Sequence, residues 1–563
     1  MVVDRRVVVD QAAERGRKLL GTLTTLIVPA VIAVREALVS LAGPDEEPLG
    51  VFTLRGGIPK DDGWARTPDQ PLVSASTVDQ IGSRLLIQGY GVSPGMRPLH
   101  AGLAGNDMLI LLDEVHLSQP FKQTLERLGR LRERYSANRL PQRFQFSFLS
   151  ATPRDADGTR FELLPSELAP HSALGPRLYA KKPTRIVEVS GRETLAKRIG
   201  SEAKNLTEKH DVVAAVVNRV DTALLVYREL KETMIGVADV ILLTGRMRPL
   251  DRDDVLAAYK PRITAGMRTR SGAEGKLVVI GTQCIEAGVD FDFDAMVTES
   301  ASFDSLRQRF GRIDRLGEYK DEEGNSKAEG VIVHDEAAEI PKRDKTGKLV
   351  RKGGQVVMVN GDPIYADTII KTVKWLKTHR DKAKNKKHKE SQSSSCASQT
   401  IDSGSRSLLD APEELLSPRE SAPTLLPAYL DLWSQTAPVP FTVPEPGLFL
   451  HGPRSGPEDV QVIWRADLDD AKFQSESLSS LVAAVTAVRP SSLEAISLPF
   501  VAARRWLAQA ARVIEGVGDL EANGETQDNK DPNPDGRRAL CWHGDKSEIV
   551  DVSQVRPGDT LIV

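Results

Sequence analysis

The sequence predicts an α/β protein made of two consecutive units with buried parallel strands, and two stretches carry that prediction. In Met108–Leu112 (MLILL) the residues are all apolar, as in a strand covered on both faces of a parallel sheet, and the carboxylates Asp113 and Glu114 follow at once. From Pro183 the chain alternates again between apolar runs (TRIVEVS, DVVAAVV, ADVILL, GKLVVIG) and amphipathic segments such as Glu193 to His210, the pattern of a second strand-and-helix unit. Ligands of open α/β sheets gather beyond the carboxyl ends of the strands, where Asp113 and Glu114 would project. There Asp113 suits Mg²⁺, usually held through water, and Glu114 suits the orientation of a water attacking a γ-phosphate. The plain alternative is a strand running into an acidic loop, which DEVH alone does not exclude.

Length and composition set the frame. A chain of 563 residues suggests three or four domains, and 40% hydrophobic with 27% charged residues is ordinary for a globular protein. Net charge is −3, so any nucleic-acid groove must be a local basic surface. The cysteines Cys284, Cys396 and Cys541 are odd in number and far apart, which argues against a disulfide framework and against a zinc site and fits a reducing cytoplasm. Leu19 to Val34 is apolar and follows RGRK, yet it contains Pro29, is short for a span and runs into Arg35 and Glu36; it reads as buried helix rather than membrane segment.

The chain opens with a strand fragment that turns into a helix at about Arg6. A phosphate loop, G-x-x-x-x-G-K-[ST], belongs ahead of an acidic strand of this kind, and residues 1 to 112 contain none. The expectation is that the loop was lost or that the true start lies upstream of Met1. Val51 to Gly57 (VFTLRGG) reads as a strand. Leu72 to Leu86 reads as a strand passing into a helix that Thr77 and Asp79 can cap; with Arg55 and Gly56, Thr77 equally suits contacts to a nucleic-acid backbone. After DEVH, with its His116, comes a basic helix, then a strand with Phe144, Phe146 and Phe148 alternating and Ser150-Ala151-Thr152 closing it. Ser150 and Thr152 could couple the acidic pair to the position of the second unit.

In the second unit Asn218 and Arg219 stand at a strand-to-helix turn. In the loop TQCIEAGVD, Thr282 and Gln283 could reach a nucleic-acid phosphate, and Gly288 and Asp290 could approach a ribose or γ-phosphate. SLRQRFGRIDRLGE reads as one helix, with Gln308, Arg312 and Arg315 spaced by four and three on one face. Arginines so placed could neutralise charge on a γ-phosphate, and a solvated basic face is the other reading.

Taken in order, DEVH, SAT, TQCIEAGVD and QRFGRIDR resemble the motifs of superfamily 2 helicases, over about residues 1 to 335. LRGG, STVDQ, DEVH and FGRIDR look more narrowly like the CRISPR-associated helicase of type I interference systems, and the tail PGLFLHGPRSGPEDVQVIWRADLD with RPGDTLIV looks like its I-U (I-G) variant. The resemblance implies two tandem RecA-like lobes, ATP and Mg²⁺ as cofactors, ATP-driven translocation on single-stranded DNA, and partnership with an RNA-guided surveillance complex. It implies Asp113 on the metal, Glu114 on water, Arg312 and Arg315 on the transferring phosphate, Gln308 on the nucleotide and His116 in coupling. The family also carries an HD-type nuclease. The dipeptides His210-Asp211 and His334-Asp335 lack the further ligands and read as structural, so truncation at both ends is expected, with the phosphate loop or nuclease on a separate chain.

The expected divisions are a first lobe at 1–178, a second at 179–336, a basic helix and Ser-rich linker at 337–437, and a small α+β accessory domain at 438–563. GLFLHG is expected as a strand of that last domain, and 407–437 as mostly helical. The reading from another class is an ATPase-dead relic that only binds nucleic acid or acts as a scaffold.

Overall fold

The computed structural model describes the chain apart from residues 4–5, 44, 56–62, 136–142, 151–158, 160, 268–273, 287, 289, 342–349, 353–354, 363, 391–399, 405–411, 436–437, 439, 441–442, 454–458, 469–471, 474–475, 492 and 509–536. It divides into two compact units, residues 1–158 with 419–455, and residues 159–418 with 456–563. Both are α/β, as expected, but the divisions differ: 419–455 returns to the first unit, and the C-terminal segment belongs with the second.

In the first unit the strands are β1 (Val2–Val3), β2 (Gly50–Leu54), β3 (Leu72–Thr77), β4 (Met108–Leu112) and β5 (Phe144–Phe148). They form a parallel sheet in the order β2-β3-β1-β4-β5. Helix α1 (Arg6–Thr25) lays Val8, Val9 and Ala13 on one face, against Val3 and Ala75. On the other face α3 (Val78–Leu85), α4 (Arg97–Gly105) and α5 (Gln119–Tyr135) enclose Val2, Ile110 and Leu112, with the three alternating phenylalanines of β5 packed alongside. GLFLHG is not a strand: Gly447–Leu450 is a short helix whose Phe449 and Leu450 join this core beside Trp433. Its packing on α3 leaves Leu450 close against Gly82, where a methyl would meet a Leu450 carbon at 2.4 Å.

Two expectations fail here for one reason, incomplete cover. Strand β4 buries only Ile110 and Leu112; Leu109 is 56% exposed and Leu111 37%, because α1 packs over β1 to β3 and not over β4. The apolar stretch Leu19–Val34 is helical but not buried. Pro29 stops the first helix from continuing, α2 (Pro29–Ala42) leaves at 106°, and α2 has no buried residue. Among the described residues no single helix is long and apolar enough to cross a membrane, although α1 and α2 together pass that test by length and composition.

The second unit begins with α6 (Gly175–Tyr179) and continues β6 (Pro183–Val189), α7 (Arg192–Lys209), β7 (Val212–Val216), α8 (Val220–Thr233), β8 (Ala238–Leu243), α9 (Pro249–Ile263), β9 (Lys276–Gly281), β10 (Ala295–Glu299), α10 (Phe303–Phe310) and β11 (Glu329–Asp335). The short ladders β12 (Glu339–Pro341) with β15 (Met358–Asn360), and β13 (Arg351–Lys352) with β14 (Gln355–Val356), lead to α11 (Thr368–Glu390) and β16 (Ile401–Asp402). Its seven-stranded sheet runs β16-β6-β11-β10-β7-β9-β8, parallel except for the edge strand β16. Val213, Ala215, Val278, Ile280, Val297 and Val331 are fully enclosed, which is why these strands read as unbroken apolar runs. Within 407–437 the described helix is confined to Pro427–Ser434 and a short turn at Glu413–Leu415.

The C-terminal sheet runs β18-β17-β21-β19-β20, from β17 (Val460–Ile463), β18 (Ile496–Leu498), β19 (Ala539–Cys541), β20 (Glu548–Val550) and β21 (Thr560–Ile562). Helices Leu478–Ala487 and Phe500–Leu507 cover it. Alternate residues of its strands feed two separate clusters, Val460, Val462 and Leu561 in one and Ile463, Leu540 and Ile562 in the other, so it is a two-faced α+β module.

Candidate functional site

The acidic pair is set by the end of β4. Asp113 N–H donates to the Val2 carbonyl at 3.0 Å, Leu149 N–H to the Leu112 carbonyl at 2.9 Å, and Val115 N–H to the Leu149 carbonyl at 3.0 Å. These bonds fix the turn to both neighbouring strands. Glu114 adopts φ 48°, an uncommon left-handed conformation for a residue with a side chain, and its N–H donates to Asp113 Oδ1 at 3.0 Å. The turn places His116 Nδ1 3.2 Å from Glu114 Oε2, with His116 itself buried. Burial, and then the charge of Glu114, push the Asp113 carboxyl above its usual range. A divalent cation beside Asp113 would relieve both effects, so these residues fit Mg²⁺. Ser150 is half-buried just past β5; Thr152 lies outside the described residues.

In the same unit, Thr77 does cap α3, its Oγ1 accepting from Gln80 N–H at 3.4 Å, and is itself buried. Arg55 is ion-paired to Asp10 of α1. Gly56 lies outside the described residues.

In the second unit the expected single helix does not form. Helix α10 ends at Phe310, so Gln308, Arg312 and Arg315 do not share a helical face. The chain is drawn away by β-like bonds to Phe293: its N–H donates to the Arg312 carbonyl at 2.8 Å, and Asp314 N–H donates to its carbonyl at 2.9 Å. Asp314, at φ 41°, then accepts at Oδ1 from the N–H groups of Glu318 and Tyr319, both at 2.9 Å.

What α10 does present inward is Arg309, which the sequence reading passed over. It is fully buried and donates to Glu286 Oε1 (2.8 Å), Thr298 Oγ1 (2.8 Å), the Glu299 carbonyl (2.9 Å) and Asn218 Oδ1 (2.8 Å). Ser305 Oγ donates to Tyr365 Oη at 3.1 Å beside it. Asn218, Thr282 and Gln283, expected on nucleic acid, have no side-chain exposure to offer. Asn218 N–H donates to Glu299 at 2.7 Å and its Nδ2 to the Ser300 carbonyl at 2.9 Å, while Gln283 Nε2 donates to the Asn218 carbonyl at 2.8 Å. Buried polar groups must be satisfied internally, and here they satisfy one another across the carboxyl ends of β7, β9 and β10. Arg219 pairs with Asp362 at 3.1 Å.

Arg312 clamps the Glu286 carbonyl with Nε (3.0 Å) and Nη2 (2.6 Å), and its buried Nη1 has no hydrogen-bond partner among the described residues. Arg315 pairs with Asp290 at 2.9 Å, where Asp290 is 61% exposed. Gly288 is half-buried on the same loop, at φ 77°. Burial, then Asp362, push the Glu299 carboxyl up to about 7. Glu299, His334, Asp335 and Asp362 line a cavity of about 290 Å³, whose carboxylates oppose an anionic ligand. Both HD dipeptides are engaged structurally: His210 Nδ1 lies 3.1 Å from Tyr319 Oη, His334 Nδ1 lies 3.0 Å from Ser300 Oγ, and Asp335 accepts from Gly191 N–H at 2.8 Å.

Residues 209–318, which hold β7 to α10, match the family described as CRISPR-associated nuclease/helicase Cas3, C-terminal. The CRISPR-associated nuclease/helicase Cas3 of Methanothermobacter thermautotrophicus is 39% identical over 118 residues, 21% of this chain and 12% of that protein. The CRISPR-associated helicase Cas3 of Thermoproteus tenax is 29% identical over 232 residues, 40% of this chain and 35% of that protein. Each relative is thus matched over well under half its length. Among solved structures, T. fusca Cas3 with AMPPNP has a TM-score of 0.46 at 14% identity, covering 88% of this chain and 58% of that one. The parallel sheets and the ordered motifs resemble those of superfamily 2 helicases. Within that class, the family match and the curated relatives liken these stretches of the chain to CRISPR-associated Cas3 helicases.

Proposed function

We propose that this chain supplies the helicase core of a DNA-interference motor, coupling ATP hydrolysis to movement along single-stranded DNA in company with an RNA-guided CRISPR surveillance complex. The observation that carries the reading is the DEVH turn, where two adjacent carboxylates end a parallel strand and burial and mutual charge raise one of them. Asp113 would hold Mg²⁺, which when bound supplies charge neutralisation on the phosphates. Glu114, contacting His116, would orient the attacking water, and His116 would report nucleotide state to the rest of the unit. Arg312 and Arg315 would meet the transferring phosphate, with Gln308, Gly288 and Asp290 on the nucleotide; the buried Nη1 of Arg312, without a partner among the described residues, supports its part.

DNA would be met by Arg55 and Arg219, and not by the side chains of Thr77, Asn218, Thr282 and Gln283, which are buried. Contacts to phosphate would make binding weaken steeply with salt. The test is ATP binding and hydrolysis by the full chain with and without single-stranded DNA. DNA-stimulated hydrolysis supports the motor; DNA binding with no ATP affinity supports the scaffold reading instead.

A further inference from the structure

The C-terminal module contains a cluster of ligand atoms that the motor reading does not use. Cys541 ends β19, His543 follows two residues later, and Asp559 precedes β21. These strands are antiparallel, pairing Leu540 with Ile562 and Cys541 with Leu561, and Trp542 N–H donates to the Thr560 carbonyl at 2.8 Å. Continuing that register sets His543 opposite Asp559. Opposed residues share a face, and so do residues two apart on a strand, so all three side chains emerge on one side.

Their donor atoms lie within 4.8 Å of one another, and Cys541 Sγ is 3.4 Å from His543 Nε2. In a tetrahedral zinc site, with Zn–S of about 2.3 Å and Zn–N of about 2.0 Å, a sulfur and a nitrogen ligand stand about 3.5 Å apart. Among the described residues this is the one group of three such side chains with its ligand atoms so close. Glu548, which pairs across β20 with Cys541, adds negative charge beside it.

We propose that Cys541, His543 and Asp559 bind a single zinc ion, leaving its fourth position to water. The mixed sulfur, nitrogen and oxygen set favours zinc over magnesium or calcium, which take oxygen ligands. Binding replaces the thiol proton, released to solvent, by the metal–sulfur bond. The ion would tie the end of β19 to the start of β21, in a sheet whose strands are three or four residues long. A nucleophilic role for the cysteine fits less well. Burial, then Asp559 and Glu548, push its thiol up to about 11, the opposite of the depressed value an attacking cysteine needs.

The test uses the full chain, stripped with chelator and then titrated with Zn²⁺ and with Co²⁺ as a spectroscopic stand-in. The expected result is one ion per chain, with a near-ultraviolet thiolate-to-cobalt band and the visible bands of a tetrahedral ion. Cys541→Ser should abolish the thiolate band, and His543→Ala and Asp559→Asn should each weaken Zn²⁺ binding at least about tenfold. His543 is exposed, so that variant tests the site even if the serine variant does not fold. No bound ion in the unaltered chain, or undiminished binding in His543→Ala and Asp559→Asn, would overturn the proposal.

Discussion

Arg309 and Glu286 form a buried ion pair, with the arginine fully enclosed, the glutamate side chain 5% exposed, and Nη2 to Oε1 at 2.7 Å. Both charges were taken out of water, and the cost is offset only because each lies in a set of further hydrogen bonds. Arg309→Met leaves Glu286 charged and buried, and should destabilise the chain by about 3–5 kcal/mol. Denaturant unfolding midpoints check this. A loss below about 1 kcal/mol would show that the network is not a structural centre.

The acidic turn should behave in the opposite way, mattering for chemistry rather than folding. Glu114→Gln keeps size and removes the charge. Hydrolysis should fall by about 10²–10⁴-fold, the range of a lost general base, with unfolding shifted by less than about 0.5 kcal/mol. Steady-state phosphate release and a melting curve on the same sample separate the two effects.

Arg315 gives a cleaner test of the guanidinium role than Arg312, because Arg312 also holds the Glu286 carbonyl. Its partner Asp290 is mostly exposed, so Arg315→Ala should change stability by no more than about 1 kcal/mol. If Arg315 neutralises charge on the transferring phosphate, hydrolysis should fall by about 10³-fold or more. Unaltered turnover in that variant would remove Arg315 from the chemistry.

Glu299 sets a pH dependence. Its folded value of about 7 lies above the ordinary 4.5, so between those limits the folded chain holds a proton that the unfolded chain has lost. Stability from this group is therefore full below about 4.5 and declines as pH rises, levelling above about 7, by at most about 1.4 kcal/mol per pH unit. Glu299→Gln should remove that part of the slope while still accepting from Asn218 N–H. Unfolding free energies of both proteins from pH 4.5 to 8 supply the difference, and parallel curves would contradict the assignment.

Much of the fold was legible because parallel strands announce themselves as apolar runs. Met108–Leu112, Val212–Val216 and Lys276–Gly281 stand where the sequence places strands, and Thr77 caps the helix it was expected to cap. Burial was less legible. Leu109 and the Leu19–Val34 stretch are exposed, since hydropathy reports what a residue prefers and not which neighbour covers it. The reading of Gln308, Arg312 and Arg315 as one face failed because helical spacing is a local property. The bonds to Phe293 that end α10 come from elsewhere in the chain.

Arg309 carried a usable signal, standing three residues after Leu306 and beside Phe310, on the inward side of an amphipathic helix. Asn218 and Gln283 carried none, because their partners are set by the sheet order. The Cys541, His543 and Asp559 group was invisible to cysteine spacing, since strand pairing, not sequence proximity, brings Asp559 to the other two.

The central claim is that the carboxylates at the end of β4 act on ATP. Its most direct test is single-turnover hydrolysis on single-stranded DNA by the unaltered chain and by Glu114→Gln, with ATP affinity measured alongside. The account predicts hydrolysis by the unaltered chain, slowed at least about 10²-fold in the variant, with affinity changed by no more than a few fold. Equal rates in the two proteins, or no hydrolysis by the unaltered chain, would contradict it.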